Sequence, residues 1–107
     1  MKDWFVYMVR CNDGSLYTGI TTDLKRRIDE HNCGREAAAY TRSRRPVELV
    51  YQERCRSRSK ALIREGQIRK MQKSEKEIMI NDWAITGVMK YPEDNIHITK
   101  VFEEYRR

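Results

Sequence analysis

The sequence predicts an α+β domain, in which a small three-stranded antiparallel sheet is flanked by helices in the order β-β-α-β-α-α. Two apolar runs joined by an Asp-Gly turn predict a hairpin, and a third alternating run predicts another strand. Stretches with helical spacing and capping residues follow these runs. The length of 107 residues suits one domain.

The predicted hairpin opens the chain. Residues 4–10 (WFVYMVR) are rich in β-prone side chains, and residues 16–20 (LYTGI) form the returning strand. Between them lies Asn12-Asp13-Gly14-Ser15, and Asp-Gly between two apolar runs is a strong hairpin signal.

A first helix follows the hairpin. Thr21-Thr22-Asp23 supplies N-cap candidates, and Gly34 is the predicted C-cap of a helix that ends at about Asn32. Leu24 and Ile28 are four residues apart, so this face is expected to pack on the sheet. Residues 35–46 show no sustained period and are predicted to form a loop.

The second half begins with a third predicted strand over residues 47–53 (VELVYQE). Ser57 or Ser59 can cap a second helix to about Gln72. A capping box, Ser74-x-x-Glu77, predicts a short third helix through residue 81. We therefore expect one domain over residues 1–82 and a C-terminal extension over 83–107, where Ile96, Ile98 and Val101 suggest a strand or a packed tail.

Composition limits the classes of protein. No apolar run approaches the ~20 residues of a membrane-spanning helix, and Lys2 and Asp3 precede a short apolar run that Arg10 interrupts, unlike a secretory signal. A cytoplasmic location is therefore expected. Cys11, Cys33 and Cys55 form no C-x-x-C pair, and with the two histidines they match no zinc-ligand spacing, so reduced thiols are expected.

Positive charge is concentrated in the middle of the chain. The net charge is +6, but residues 24–73 carry 15 basic and 6 acidic residues. Arginine outnumbers lysine there, which favours bidentate contact with phosphate over a merely solvated face. A polyanion such as DNA is the expected partner. The candidate nucleic-acid contacts are Arg42, Arg44, Arg45, Lys60, Arg64 and Arg69.

Five polar residues are candidates for chemistry. Tyr7 and Tyr17 lie on the two arms of the hairpin, and Arg27 and His31 share a helix face four residues apart. Glu65 is the sole carboxylate of the second helix, where it needs an arginine or a divalent cation as partner. Phosphodiester cleavage needs such parts: Tyr or His as the base, Glu65 as a metal ligand and Arg27 as a clamp on the phosphate.

These residues resemble the GIY-YIG endonuclease superfamily. The two tripeptides of that family appear here in degenerate form as Phe5-Val6-Tyr7 and Tyr17-Thr18-Gly19, followed in order by Arg27, His31 and Glu65. The stretch Ala39-Tyr40-Thr41 and the later run from Arg44 to Tyr51 are similar to small stand-alone bacterial members. The resemblance covers roughly residues 4–80.

The resemblance implies a three-stranded antiparallel sheet and hydrolysis of one DNA strand with a single divalent cation, Mg²⁺ or Mn²⁺. Carried over, Glu65 is the metal ligand, Arg27 holds the scissile phosphate and Tyr7 is the favoured general base. Tyr17 and His31 orient water or phosphate. Gly19 is expected where a side chain would crowd the backbone that phosphate approaches.

Three positions depart from the family pattern. Val6 and Thr18 replace isoleucines and keep β-branching, and Ile20 stands where some members carry a basic residue. Asn81 is the nearest candidate for an asparagine that many members carry after the glutamate's helix.

The sequence leaves three hypotheses for the function of this protein. The leading one is a metal-dependent DNA endonuclease. Its sequence specificity is expected to be weak, since phosphate contacts position a protein without specifying sequence, and selectivity for DNA structure in repair or processing is a further expectation. The second is a non-catalytic nucleic-acid-binding module that acts with a partner. The third is a protein-interaction domain.

Overall fold

The computed structural model describes residues 2–86 of the chain. The expected α+β architecture is confirmed, with a three-stranded antiparallel sheet and helices around it. In chain order the elements are β1 (Trp4–Arg10), β2 (Leu16–Thr21), α1 (Leu24–Cys33), α2 (Ala39–Arg42), β3 (Glu48–Cys55), α3 (Arg58–Arg69) and α4 (Lys73–Thr86).

The first strand is the centre of the sheet, whose order is β2-β1-β3. β1 pairs antiparallel with both neighbours, and Tyr7 lies opposite Gly19 of β2 and Gln52 of β3. The predicted hairpin is confirmed: Gly14 has a φ of 84°, and its N–H donates to the carbonyl of Cys11 at 2.9 Å. Only glycine adopts that backbone conformation without steric cost.

Both faces of the sheet are covered, because successive residues of β1 point to opposite sides. Val6 and Met8 are fully buried in a cluster that includes residues of α3 and α4. Tyr7 and Val9 lie in a second cluster with α1, against which Leu24 and Ile28 of that helix pack. The predicted sheet-facing stripe of the first helix is therefore confirmed.

The helix starts follow the predicted caps. The carboxylate of Asp23 accepts a hydrogen bond from the N–H of Arg26 at 3.1 Å, and the hydroxyl of Ser57 accepts one from Lys60 at 3.2 Å. Gly34 ends α1 with a φ of −88°, outside the left-handed region. It is required for a different reason, because a Cβ there would lie 2.8 Å from the Cα of Glu30.

Two element predictions were wrong. The presumed loop over residues 35–46 contains the short helix α2. The capping box is also not used: α4 begins at Lys73, and Glu75, not Glu77, accepts from the N–H of Gln72 at 3.4 Å. Glu77 instead forms a two-point ion pair with Arg10 at 2.6 and 2.8 Å, which ties α4 to β1.

The fourth helix passes the expected boundary at residue 82. It continues to Thr86, and Trp83 packs against the cluster that contains Val6. The predicted strand or tail around Ile96, Ile98 and Val101 lies outside the described residues. Within residues 2–86, none of the helices has the length and apolar character needed to span a bilayer.

Candidate active site

Tyr7 occupies the centre of the candidate site. Its side chain is 1% exposed, and its hydroxyl lies 2.7 Å from Nε2 of His31. A Cβ on Gly19, directly across on β2, would come within 2.6 Å of that hydroxyl. Gly19 is therefore needed to admit the ring of Tyr7, which differs from the expected reason, the approach of a phosphate to the backbone.

His31 is fully buried beneath Tyr7 on α1. Its Nδ1 lies 2.8 Å from the hydroxyl oxygen of Thr41 in α2, so both ring nitrogens have partners. The ring of Tyr17 approaches the imidazole edge-on, with centroids 5.4 Å apart. The structure thus brings Tyr7, Tyr17 and His31 together on one face of the sheet.

Burial shifts the pKa values of Tyr7 and His31 in opposite directions. It raises the pKa of Tyr7 to about 12, against the lowering effect of Arg27. It lowers the pKa of His31 to about 4, with further lowering by the charges of Arg27 and Arg45. Low-dielectric surroundings disfavour the charged form of each group, so the phenol and the imidazole are both neutral near pH 7.

Arg27 borders the same site, one helical turn before His31. Its guanidinium donates to the carboxylate of Glu30 at 3.0 Å and to the backbone carbonyl of Glu36 at 2.8 Å. Its charge and hydrogen bonding also lower the pKa of Tyr7. The predicted shared face of Arg27 and His31 is therefore present, and Arg27 is the fixed positive charge of the site.

An aromatic and cationic stack extends from the site toward the surface. The rings of Tyr17 and Tyr40 are stacked at 6.0 Å with an interplanar angle of 22°. The guanidinium of Arg44 lies 3.9 Å from the centroid of Tyr40. Sequence reasoning missed Tyr40 as a neighbour of the site, since only the family resemblance drew attention to that stretch.

Glu65 comes from α3, on the other side of the sheet. The buried residues of that helix, Ala61 and Ile68, belong to the cluster opposite Tyr7. Nevertheless α3 packs on both β1 and β2, and the charge of Glu65 raises the pKa of Tyr7. Glu65 therefore acts electrostatically on the site from a second direction.

Arg69 holds Glu65 against the edge strand. One of its nitrogens lies 3.7 Å from the carboxylate of Glu65 and 3.2 Å from the backbone carbonyl of Thr18. The side chain of Glu65 is 16% exposed, so this carboxylate is partly accessible. Asn81, by contrast, is exposed on α4, which packs against β3, so the fold does not join it to this group.

A lone carboxylate fits one kind of metal site. No cluster of three or more His, Cys, Asp or Glu side chains suited to a metal occurs within residues 2–86. A closed four-ligand zinc site therefore does not fit this part of the chain. Mg²⁺ commonly uses one or two carboxylates and completes its shell with water and substrate phosphate, and the partly exposed Glu65 fits that pattern. Cys11, Cys33 and Cys55 all lie within residues 2–86, and none of them forms a disulfide bond there.

Two of the arginines predicted to contact nucleic acid instead make hydrogen bonds within the domain. Arg64 donates to both oxygens of the buried carboxylate of Glu53 at 2.8–2.9 Å. Arg45 donates to the carbonyls of His31 and Gly34 and so caps the end of α1. Both guanidinium groups are therefore engaged within the fold, and their contact with phosphate stays a prediction.

The other predicted contacts lie nearer the surface. Arg42 is exposed and donates to the carbonyls of Arg35 and Ala37, while Arg44 pairs with Asp13 at 3.1 Å. Lys60 and Arg69 are exposed on α3. These four side chains remain the candidates for contact with a polyanion.

The fold and this group of residues define a class of small α+β domains. Two strand tyrosines and a helical arginine and histidine lie on one face of a three-stranded sheet, and a later helix on the other face carries a glutamate. A sequence model described as the GIY-YIG catalytic domain matches residues 3–78. The chain belongs to the GIY-YIG family.

Individual proteins are similar to most of the chain. A UPF0213 protein of Desulfotalea psychrophila is 56% identical over 77 residues, covering 72% of this chain and 70% of the relative. A UPF0213 protein of Staphylococcus epidermidis is 50% identical over 82 residues, covering 77% of this chain and 99% of the relative. The solution NMR structure of a protein from E. faecalis is similar with a TM-score of 0.54 and 33% identity, covering 79% of this chain and 90% of that one.

Proposed function

We propose that the protein is a divalent-metal-dependent endonuclease that hydrolyses DNA phosphodiester bonds. The observation that carries this proposal is the 2.7 Å hydrogen bond between Tyr7 and His31, buried beside the positive charge of Arg27. This hydrogen bond gives the phenol proton a direct path to the imidazole nitrogen. Membership of the GIY-YIG family supports the same reaction class.

Tyr7 and His31 together act as the general base in this proposal. With a pKa near 12, the phenol does not ionise alone at neutral pH. It can take a proton from an attacking water while it passes its own proton to Nε2 of His31. The oxygen of that water bonds to phosphorus as one P–O bond of the DNA strand breaks. The leaving oxygen takes up a proton from solvent, and His31 releases its extra proton to solvent afterwards.

Arg27 is the proposed clamp on the phosphate. Its contacts with Glu30 and the carbonyl of Glu36 fix the guanidinium in advance, so little rearrangement is needed as negative charge develops. Tyr17, only partly buried and edge-on to His31, is placed to contact water or phosphate. Gly19 keeps the space that the Tyr7 ring requires.

Glu65 would hold a single Mg²⁺ or Mn²⁺ ion, which when bound supplies charge neutralisation at the phosphate. The partial exposure of Glu65 leaves room for water and substrate oxygen as further ligands. Its contact with Arg69 keeps the carboxylate at the β2 edge.

The basic surface would bind the DNA backbone. Arg42, Arg44, Lys60 and Arg69 are proposed to contact phosphates, which gives affinity with weak sequence specificity. A role in DNA repair or processing in the cytoplasm, with a protein partner that supplies targeting, is part of this proposal.

One observation favours a second candidate, the non-catalytic binding module. Tyr7 is 1% exposed and His31 is fully buried, so neither side chain has open access to water. In that case the tyrosine–histidine pair stabilises the fold, and the basic surface alone carries function.

A nicking assay separates the two candidates. Supercoiled plasmid and a branched oligonucleotide are incubated with Mg²⁺, with Mn²⁺ or with EDTA, using the wild type and Glu65→Gln. We expect metal-dependent cleavage in the wild type and at least a 100-fold loss in the variant, with DNA affinity nearly unchanged, because the substitution removes a metal ligand and not the basic surface.

Glu48→Gln is the matched control. Glu48 is exposed at the start of β3, and its substitution makes the same change in charge and side chain. It should cleave as the wild type does. Cleavage that persists in Glu65→Gln would mean the metal ligand is misassigned, and binding without cleavage by any form would favour the binding module.

A further inference from the structure

Thr41 touches the catalytic pair from the side away from Tyr7. It lies in α2 and is fully buried, although it is polar. Its hydroxyl oxygen is 2.8 Å from Nδ1 of His31 and 3.1 Å from the backbone carbonyl of Ala38. A buried hydroxyl with two such partners has a defined place in a hydrogen-bond chain.

The donor and the acceptor of each hydrogen bond in this series can be assigned by counting protons. A threonine hydroxyl has one proton, and here it is donated to the carbonyl of Ala38. Its oxygen must then accept from Nδ1–H of His31. Neutral imidazole carries one proton, so Nε2 is left with a lone pair that accepts the hydroxyl proton of Tyr7.

We propose that Thr41 is a positioning residue that fixes His31 in the Nδ1–H tautomer and so makes Nε2 the acceptor for the Tyr7 proton. In the other tautomer Nε2 carries a proton and cannot accept one. The catalytic consequence rests on the proposed endonuclease function, whereas the tautomer assignment does not.

The hydroxyl is held in place by the backbone around it. Thr41 and Arg42 both donate their N–H groups to the carbonyl of Ala38, and the carbonyl of Thr41 accepts from the N–H of Arg44 at 2.9 Å. The side chain of Arg42 ties α2 to the preceding segment through the carbonyls of Arg35 and Ala37. The short helix therefore presents the hydroxyl to His31 in a fixed position.

The charged and titratable groups around His31 do not decide its tautomer. Arg27 and Glu30 on its own helix and Arg45 from the following loop act through charge. Only Tyr7 and Thr41 contact the ring nitrogens by the hydrogen bonds described for residues 2–86. The hydroxyl of Thr41 can accept or donate a hydrogen bond. Its donation to the carbonyl of Ala38 therefore determines which ring nitrogen of His31 carries the proton.

The first test reads the tautomer directly and needs no variant. The full chain, labelled with ¹⁵N-histidine and free of metal, is studied by long-range ¹H–¹⁵N NMR correlation at neutral pH. The expected pattern places the proton of His31 on Nδ1. A proton on Nε2 in the wild type would overturn the proposal, whether or not the protein cleaves DNA.

Two variants then test the role of the hydroxyl. Thr41→Val keeps the shape and removes the hydroxyl, so the Nε2–H form of His31 should become populated. Thr41→Ser keeps the hydroxyl and should retain the Nδ1–H form. Retention of that form in a folded Thr41→Val would contradict the proposal, and Thr41→Ser remains informative if the valine variant does not fold.

Kinetics on DNA separate positioning from binding. In Thr41→Val we expect kcat to fall about 10- to 100-fold, by analogy with removing the hydrogen-bond partner of a metal-bound histidine, with KM nearly unchanged. Thr41→Ser should restore most of kcat. An unchanged kcat in a Thr41→Val protein whose tautomer has changed would overturn the catalytic part alone.

Discussion

The hydroxyl of Tyr7 and Nε2 of His31 are 24 residues apart in sequence and 2.7 Å apart in the folded domain. The pair joins the central strand to α1 through the buried face of the sheet. Burial keeps both groups uncharged, since it raises the pKa of the phenol and lowers that of the imidazole. This contact therefore links the stability of the domain to its proposed chemistry.

The first prediction concerns pH. The pKa of His31 is lowered from 6.5 to about 4 in the folded domain, so at intermediate pH the unfolded chain binds a proton that the native state does not. The stabilisation is fully present above about pH 6.5 and is lost as the pH falls towards 4, by at most ~3 kcal/mol. Urea unfolding at pH 7 and pH 5 should show the loss, and NMR should give a titration midpoint near 4 for His31.

The lowered pKa values of Asp13 and Glu77 do not obscure this window. Hydrogen bonds from Ser15 lower the pKa of Asp13, and Arg10 lowers that of Glu77. Their stabilisation is lost only below the ordinary carboxyl range near pH 4. In His31→Gln the change between pH 7 and pH 5 should be smaller than in the wild type. A folded-state midpoint near 6.5 would refute the prediction.

The second prediction concerns Gly19. A Cβ at this position would lie 2.6 Å from the hydroxyl oxygen and 2.8 Å from Cζ of Tyr7. Because the ring is buried, it cannot move away without disturbing its contact with His31. Gly19→Ala should lower the free energy of unfolding by about 1–3 kcal/mol, the usual cost of overpacking, as measured by urea denaturation.

Gly66→Ala is the matched control, with an expected change of opposite sign. Gly66 lies in the interior of α3, and a Cβ there meets nothing within 4 Å. Alanine should stabilise this helix by up to about 1 kcal/mol. If Gly19→Ala were as stable as the wild type, the ring of Tyr7 would not lie over Gly19.

The elements that the sequence predicted correctly have local causes. The hairpin depends on Gly14 within a four-residue turn, and the caps at Asp23 and Ser57 act on N–H groups three residues away. The prediction failed where the partner of a side chain lies far away in the sequence. Glu77 was assigned to a cap but pairs with Arg10, 67 residues earlier, and nothing local marks that choice.

In the candidate site, too, the sequence predicted local relationships correctly and missed those between residues without a regular spacing. Spacing along one helix placed Arg27 and His31 together, and the fold confirmed that face. Thr41 was missed because its partner, His31, is ten residues away, across a segment without a regular period. Composition also cannot distinguish a displayed arginine from Arg64, whose role depends on the buried carboxylate of Glu53.

The last prediction tests the role of Arg64. Its removal as Arg64→Leu takes the ion-pair partner Arg64 from the buried carboxylate of Glu53, to which the hydroxyl of Tyr51 still donates a hydrogen bond, and should cost about 3–5 kcal/mol of stability. Replacing both residues, as in Glu53→Leu/Arg64→Leu, should recover part of that loss, since apolar replacements of a buried pair are often nearly neutral, whereas the buried hydroxyl of Tyr51 loses its acceptor. Urea unfolding of the single and double variants measures the difference.

The double variant then separates a structural role from a role in DNA binding. If Arg64 contacts no phosphate, the dependence of DNA affinity on salt concentration is the same in the wild type and the double variant. Lys60→Met, which removes an exposed charge from α3, should reduce that slope by about one, as expected for one lost phosphate contact. A reduced slope in the double variant would return Arg64 to the DNA-binding surface, because the loss of the Glu53 charge alone would not weaken attraction to a polyanion.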